Sequence, residues 1–356
     1  MSVQVGFMHN FSLESEKVRD FYARFWDREI ALSDTEFYRW QFILPPNNNS
    51  NDHCVVALLD NEIIGVMGLN VRNFLLKGAD LKGAELTTWV VNSKFSGLGV
   101  GAKMLAFIQS EFQVLIGMGI TEQALSVYMR SGFRFLSSIP RFIRVSEITP
   151  INTYGYCSKL GEKLVKKWKP KFTDNIFFRE VDWMVEPDFE FKINGFGRTR
   201  EELHWRYSLH PYFDYKSLKV EDDEGVCYVV FREEKCLSFS VMRIMEILGD
   251  STHFSLACKF IDNYLVSNKI EVADFFCTSS QVNKYLLASG WFSVLDDKCV
   301  NFPHLFQPIE LRSPSTTSLI YWTKIPNVDF YNISDLYFTK SDADFDRPTL
   351  SYIRGK

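Results

Sequence analysis

Three glycines at alternate positions, Gly97, Gly99 and Gly101, lie in "VVNSKFSGLGVGAKML" (Val90 to Leu105) between an apolar run and a helical repeat. That spacing suits a phosphate: glycines let successive backbone N–H groups turn inward as an anion nest, and a following helix adds the partial positive charge of its first turn. Two ligands are compatible with these residues. Gly97, Gly99 and Ala102 satisfy the G-x-G-x-x-[G/A] dinucleotide pattern, while Leu98, Gly99, Val100, Gly101 and Ala102 also read as a wider loop around another cofactor's diphosphate.

The dinucleotide pattern requires its first glycine directly after a strand and a carboxylate about twenty residues further on. Here the strand "ELTTWVV" ends at Val91, "NSKFS" intervenes before Gly97, and no carboxylate closes the next apolar run, "VLIGMG". The wider loop fits better. Val100, Met104, Leu105, Ile108 and Phe112 recur at helical spacing behind it, so a helix N-terminus faces the ligand.

The elements that must position this loop occur twice. "DTEFYRWQFILPP" (Asp34 to Pro46) and "TREELHWRYSLHP" (Thr199 to Pro211) align at one offset, Trp40 with Trp205 and Pro46 with Pro211. Each precedes two apolar runs joined by a polar turn, read as a β-hairpin: "CVVALL" with "IIGVMGL", and "VCYVVF" with "CLSFSVMRI". Further on, "SVYMRSGFRF" and "NKYLLASGWF" each read as a helix stopped by a glycine, Gly132 or Gly290. The repetition indicates duplicated domains: residues 1–147, a basic linker at 148–170 that includes the Lys-rich amphipathic "SKLGEKLVKKWKPK", and residues 171–356. The tail beyond Pro314 keeps apolar clusters such as "LIYW" and is expected to be folded.

Composition is consistent with two cores in an ordinary globular chain of 356 residues. A net charge of -4 provides no basic field for nucleic acid. Seven cysteines without a C-x-x-C pair read as reduced thiols, which suggests neither a disulfide scaffold nor a zinc site. The first residues carry no basic, apolar leader pattern and no apolar run nears eighteen residues, so a cytoplasmic location without membrane insertion is expected.

The glycine loop followed by "ALSVYMRSGFRFL" resembles the paired signature of the GNAT superfamily of acyl-CoA-dependent N-acyltransferases, a [Q/R]-x-x-G-x-[G/A] loop and then A-x-x-x-Y-x-x-x-G-F. The likeness is clear over about the first 145 residues and fainter beyond, so the chain resembles a tandem GNAT protein. It implies an α/β (α+β) fold of two GNAT-like domains, each with a mixed, mostly antiparallel central sheet flanked by helices. It further implies acetyl-CoA or a short-chain acyl-CoA as co-substrate, with no metal. The diphosphate would lie on residues 97–102, and the pantetheine arm would pair with the fourth strand at Val91. Ser96 stands where the family has Gln or Arg, and Thr121 where an Asn often contacts the cofactor. Tyr128 matches the tyrosine that protonates the departing thiolate, a role that suits a phenol neutral near pH 7. Glu85, at the start of "ELTTWVV", matches a base used in part of the family. Strand alternation would set it on one face with Thr87 and Trp89. His53 is a second candidate base.

The second copy has a single glycine in "ILGDSTHFSLACKF", and Leu286 stands where Tyr128 does, so one active site per chain is expected. Trp205, Arg206, Asp342 and Asp344 are candidates for holding the acceptor, through stacking, a guanidinium and carboxylates. The tail "KSDADFDRP" resembles endings of tandem GNAT proteins encoded among bacterial surface-polysaccharide genes, which implies an amino sugar carried on a nucleotide as the small-molecule acceptor. Two alternatives stand beside this: a non-catalytic acyl-CoA-binding regulator, and an aminoacyl-tRNA-dependent transferase acting on peptidoglycan precursors.

Overall fold

The computed structural model describes residues 2–49, 51–187, 191–296, 298–306, 309–311, 313, 315–325, 332–343 and 346–355. The first half runs β1 (Gln4–Phe7), α1 (Ser15–Phe25), α2 (Thr35–Phe42), β2 (Val55–Leu59), β3 (Glu62–Leu76), β4 (Ala79–Val91), α3 (Val100–Glu111), β5 (Val114–Met118), α4 (Glu122–Arg130), β6 (Arg134–Leu136) and β7 (Arg141–Val145). The hairpins β2–β3 and β3–β4 each turn on two residues of positive φ, Asp60–Asn61 and Lys77–Gly78, the backbone that suits strands of right-handed twist. Asp34 caps α2 by accepting from the Phe37 N–H at 2.9 Å.

Between the halves lie α5 (Thr149–Tyr154), β8 (Tyr156–Cys157) and α6 (Lys159–Lys167), the last being the Lys-rich segment, with Ser158 as its cap. The second half follows with β9 (Phe177–Glu180), β10 (Asn194–Phe196), α7 (Arg200–Leu203) running into a π turn (His204–Ser208), β11 (Lys216–Glu221), β12 (Val226–Lys235), β13 (Ser240–Gly249), α8 (Phe254–Asn268), β14 (Val272–Phe276), α9 (Ser280–Ala288) and β15 (Phe292–Ser293). The tail adds β16 (Val300–Asn301), β17 (Leu305–Phe306), β18 (Ile309–Glu310), β19 (Leu319–Thr323), β20 (Leu336–Tyr337) and α10 (Leu350–Arg354).

Among the described residues two large sheets form, with main paths ordered β1-β2-β3-β4-β5-β19-β6 and β9-β11-β12-β13-β14-β7-β15, beside two-stranded pairs β8–β16 and β17–β18. Both main paths are antiparallel except at the fourth and fifth strands, where β4–β5 and β13–β14 run parallel. The expected fold class is therefore observed. In each sheet the sixth strand comes from the other half: β19, the "LIYW" segment, completes the first sheet and β7 completes the second. The second half also adds β10 and β20 to the first sheet, off its main path, with β10 pairing β3.

The sheet order also corrects the hairpin alignment read from the sequence. β12–β13 occupy the third and fourth positions and correspond to β3–β4, not to β2–β3. Runs of apolar residues do not distinguish neighbouring strands of one sheet, so the alignment slipped by one.

Helices cover both faces of the first sheet. Val18, Phe21, Tyr22, Phe37, Tyr38 and Phe42 of α1 and α2 pack on Val56, Val66 and Val90. Val100, Met104, Leu105 and Ile108 of α3 pack on Val55, Met67, Leu69 and Leu86 on the other face, joined by Tyr128 of α4. No helix among the described residues is long and apolar enough to cross a membrane.

Candidate active site

The site starts where a ladder stops. β4 and β5 pair from Gly83/Val114 to Leu86/Gly117, but β4 continues to Val91. Beyond Leu86 the two strands splay. The Asn92 N–H bonds the Ile64 carbonyl at 2.9 Å, so Asn92 and Val90 turn their backbone groups toward β3, and those of Val91 and Trp89 point into the gap.

On its other edge β4 carries a β-bulge. Leu69 faces Leu86 while Met67 faces Trp89, which leaves one extra residue on β4 at Thr87–Thr88. Gly68 permits the bulge, since a Cβ there would collide with both Thr87 Oγ1 and the Phe42 ring. The bulge overturns the strand facing expected from alternation. Glu85 pairs with Asn70 and Trp89 with Met67, three residues apart on β3, so Glu85 and Trp89 lie on opposite faces. Thr87 and Glu85 look toward α2, whereas Trp89 packs beneath α3 and α4.

The glycine loop sits against that gap. Asn92 accepts from the Lys94 N–H at 3.1 Å and starts a short turn, after which the chain reaches Gly99 at φ +65. A Cβ at Gly97 or Gly99 would meet nothing within 4 Å, so both lie open to solvent. α3 begins at Val100 with no side chain capping it, and the N–H groups of Val100, Gly101 and Ala102 make none of the described hydrogen bonds. Such an uncapped helix start is an anion site. Ser96 and Leu98 are exposed beside it. Gly101 serves a different purpose: a Cβ there would come within 2.7 Å of Trp89 Cζ2, so its absence lets α3 close over the Trp89 indole.

Tyr128 lies on the far side of the same indole. Its ring is buried, 5.1 Å from Trp89 and 5.0 Å from Phe133, both edge-on. Burial pushes its pKa well above that of an ordinary phenol and keeps the hydroxyl protonated. Thr121 caps α4, accepting from the Ala124 N–H at 3.3 Å.

On the α2 face, the Asn70 amide donates to Glu85 at 3.4 Å, and the charge of Arg206 from the second half acts on Glu85. Arg206 is buried, lies over the Trp40 and Trp205 rings, and donates to the Ala343 carbonyl at 2.8 Å. Its Nη1 is buried with no hydrogen-bond partner among the described residues, as is the Thr87 hydroxyl. Trp205 is locked to Trp40. The Asp342 carboxylate is fully buried and held by Arg72 at 2.9 Å and Arg198 at 2.7 Å, where it ties the halves together. Asp344 lies outside the described residues. His53 meets the Phe7 and His9 rings edge-on, with its pKa lowered chiefly by burial.

Sequence reasoning missed Thr88 and Arg347, and named Trp89 only as a neighbour of Glu85 on the strand. Thr88 receives the Tyr22 hydroxyl on its carbonyl at 2.9 Å and the Arg347 guanidinium on its hydroxyl at 3.0 Å. Only the paired threonines preceding Trp89 hint at a bulge in the sequence, and nothing there announces that the tail returns to it.

The geometry agrees with comparisons to known proteins. Residues 15–133 match the model of the acetyltransferase (GNAT) family. No curated protein matches the chain. Among solved structures, the GCN5-related N-acetyltransferase of Anabaena variabilis ATCC 29413 is similar at a TM-score of 0.54 and 11% identity, over 90% of this chain and 72% of that one. The GCN5-related N-acetyltransferase of Kribbella flavida gives the same values. The N-myristoyltransferase of Saccharomyces cerevisiae with bound myristoyl-CoA is similar at 0.50 and 10%, over 91% and 79%. The segment holding the glycine loop, Glu85 and Tyr128 thus matches the acetyltransferase (GNAT) family, within a chain whose fold is similar to that of GNAT N-acetyltransferases.

Proposed function

We propose that this chain is an N-acyltransferase that moves an acetyl or short acyl group from acyl-CoA to the amine of a nucleotide-linked amino sugar. The observation that carries the acyltransferase part is convergence on Trp89: the uncapped start of α3, the β4–β5 gap and the buried Tyr128 phenol all meet around it. The amino-sugar part is supported by the resemblance of the tail and by the buried Arg206 charge acting on Glu85, the carboxylate to which the Asn70 amide donates.

Acyl-CoA supplies an activated thioester. The N–H groups at 100–102 hold the diphosphate, and the Trp89 and Val91 backbone pairs with the extended arm. Glu85, directly or through water, takes the ammonium proton so that the amine lone pair is free. Developing charge on the carbonyl oxygen is met by the backbone at the β4 bulge. Tyr128 gives its proton to the departing sulfur. Thiol release with a nucleotide-linked amino sugar, and not with polyamines or peptides, tests the acceptor. Release with the latter alone contradicts it.

A further inference from the structure

We infer that the second half retains a donor-type groove beside β13 and that the chain's own Tyr337 fills it. The ligand class of that groove, an extended amide-bearing thiol arm, rests on the reading of the first half given above.

The two sheets match strand for strand. The β13–β14 ladder stops at Ile244/Phe275 while β13 continues to Gly249, as β4 outruns β5. β13 also carries a bulge, since Phe231 faces Ile244 and Val230 faces Glu246. Counting from the last ladder pair through the bulge, Leu69 corresponds to Phe231 and Met67 to Val229; Trp89, opposite Met67, therefore corresponds to Ile247, opposite Val229.

In the first half the Trp89 backbone points into the gap. In the second half the same position is taken: the Ile247 N–H donates to the Tyr337 hydroxyl at 3.0 Å, and that hydroxyl donates to the Ile247 carbonyl at 3.0 Å. One phenol thus satisfies both groups of one residue, as an amide of an extended arm would. Tyr337 has no exposed surface.

Its strand is anchored on the first sheet. β20 pairs with β10, and β10 pairs with β3 at Leu75 and Phe74. Gly195 makes that approach possible, because its φ is +155 and a Cβ would lie 2.6 Å from the Tyr337 carbonyl oxygen. The entrance has changed as well. Where the first half has its glycine loop, Asp250 places a carboxylate that accepts from the Thr252 N–H at 2.8 Å and opposes a diphosphate. The groove is therefore limited to arms without phosphate, such as pantetheine, and only when Tyr337 is absent.

Two variants test this without acyl-CoA, so failure of the acyltransferase reading would be seen separately, as wild-type protein that does not bind CoA. In Tyr337→Phe, amide exchange at Ile247 should accelerate at least tenfold relative to Leu248; unchanged relative exchange overturns the inference. In Tyr337→Gly, millimolar pantetheine should raise the melting temperature by several degrees, but not in wild type or in Leu286→Ala, a different cavity in the same core. An equal shift in both cavity variants, or none, overturns it. If Tyr337→Gly does not fold, the exchange result in Tyr337→Phe decides alone.

Discussion

Trp40 and Trp205 bond each other twice: each indole N–H donates to the other's backbone carbonyl, at 3.0 and 2.8 Å, with the rings stacked 5.5 Å apart at 26°. They occupy aligned positions of the two similar segments, Asp34 to Pro46 and Thr199 to Pro211. Removing one donor leaves a buried carbonyl unpaired, a loss of about 1–3 kcal/mol. Trp40→Phe and Trp205→Phe should each lower stability by that amount. Because the two residues share one contact, the double variant should depart from additivity by at least about 0.5 kcal/mol. Denaturant unfolding of the four proteins measures the cycle.

Tyr128→Phe keeps the ring between Trp89 and Phe133 and removes only the hydroxyl. The account predicts that kcat falls about 10²-fold or more, the scale of general acid catalysis, with the KM for acyl-CoA little changed. Steady-state kinetics at saturating acceptor checks this, and an unaltered kcat would remove Tyr128 from the reaction.

Glu85→Gln should lower kcat/KM by about 10²-fold or more and flatten the acid side of its pH profile, because the amide cannot take up the ammonium proton. The Asn70 amide can still donate to the carbonyl oxygen of the introduced side chain, so the melting temperature should change little. A profile with its acid limb intact would assign that limb to another group.

Asp274 makes acid stability testable. Burial alone would raise its pKa, but Lys340 at 2.7 Å and Arg141 at 3.1 Å outweigh that and hold it at about 2. A depressed carboxylate stabilises the fold above its unfolded pKa of about 3.9, and that contribution is lost as pH falls toward 2. Asp274→Asn should cost about 3–5 kcal/mol near neutrality, because it leaves the buried Arg141 guanidinium without its carboxylate partner. Its stability should also fall less steeply than that of wild type between pH 4 and 2. Chemical denaturation across that range measures both.

Residue type and spacing revealed what is local. The helix after the loop follows from Val100, Met104, Leu105 and Ile108, and both glycine-stopped helices follow from Gly132 and Gly290, which sit at φ +82 and +81. The repeat was visible because Trp40 and Trp205 recur in like surroundings. What escaped the sequence is non-local. The exchange of β7 and β19 requires pairing between residues more than a hundred positions apart, on which periodicity is silent. The facing of Glu85 depended on one extra residue at Thr87–Thr88, and a single bulge inverts every side chain beyond it. Asp342 reads as a surface carboxylate in a polar tail, yet Arg72 and Arg198, distant in sequence, bury it.

The measurement closest to the central claim is calorimetric titration of CoA and acetyl-CoA into wild type and Gly99→Glu. Gly99 is exposed, has nothing within 4 Å of a Cβ, and holds φ +65, so the substitution places a carboxylate at the mouth of the loop and strains the turn without entering the core. The account predicts one site per chain in wild type and at least a tenfold loss of affinity in the variant, with the fold retained. No CoA binding by wild type, or equal binding by both, would contradict it.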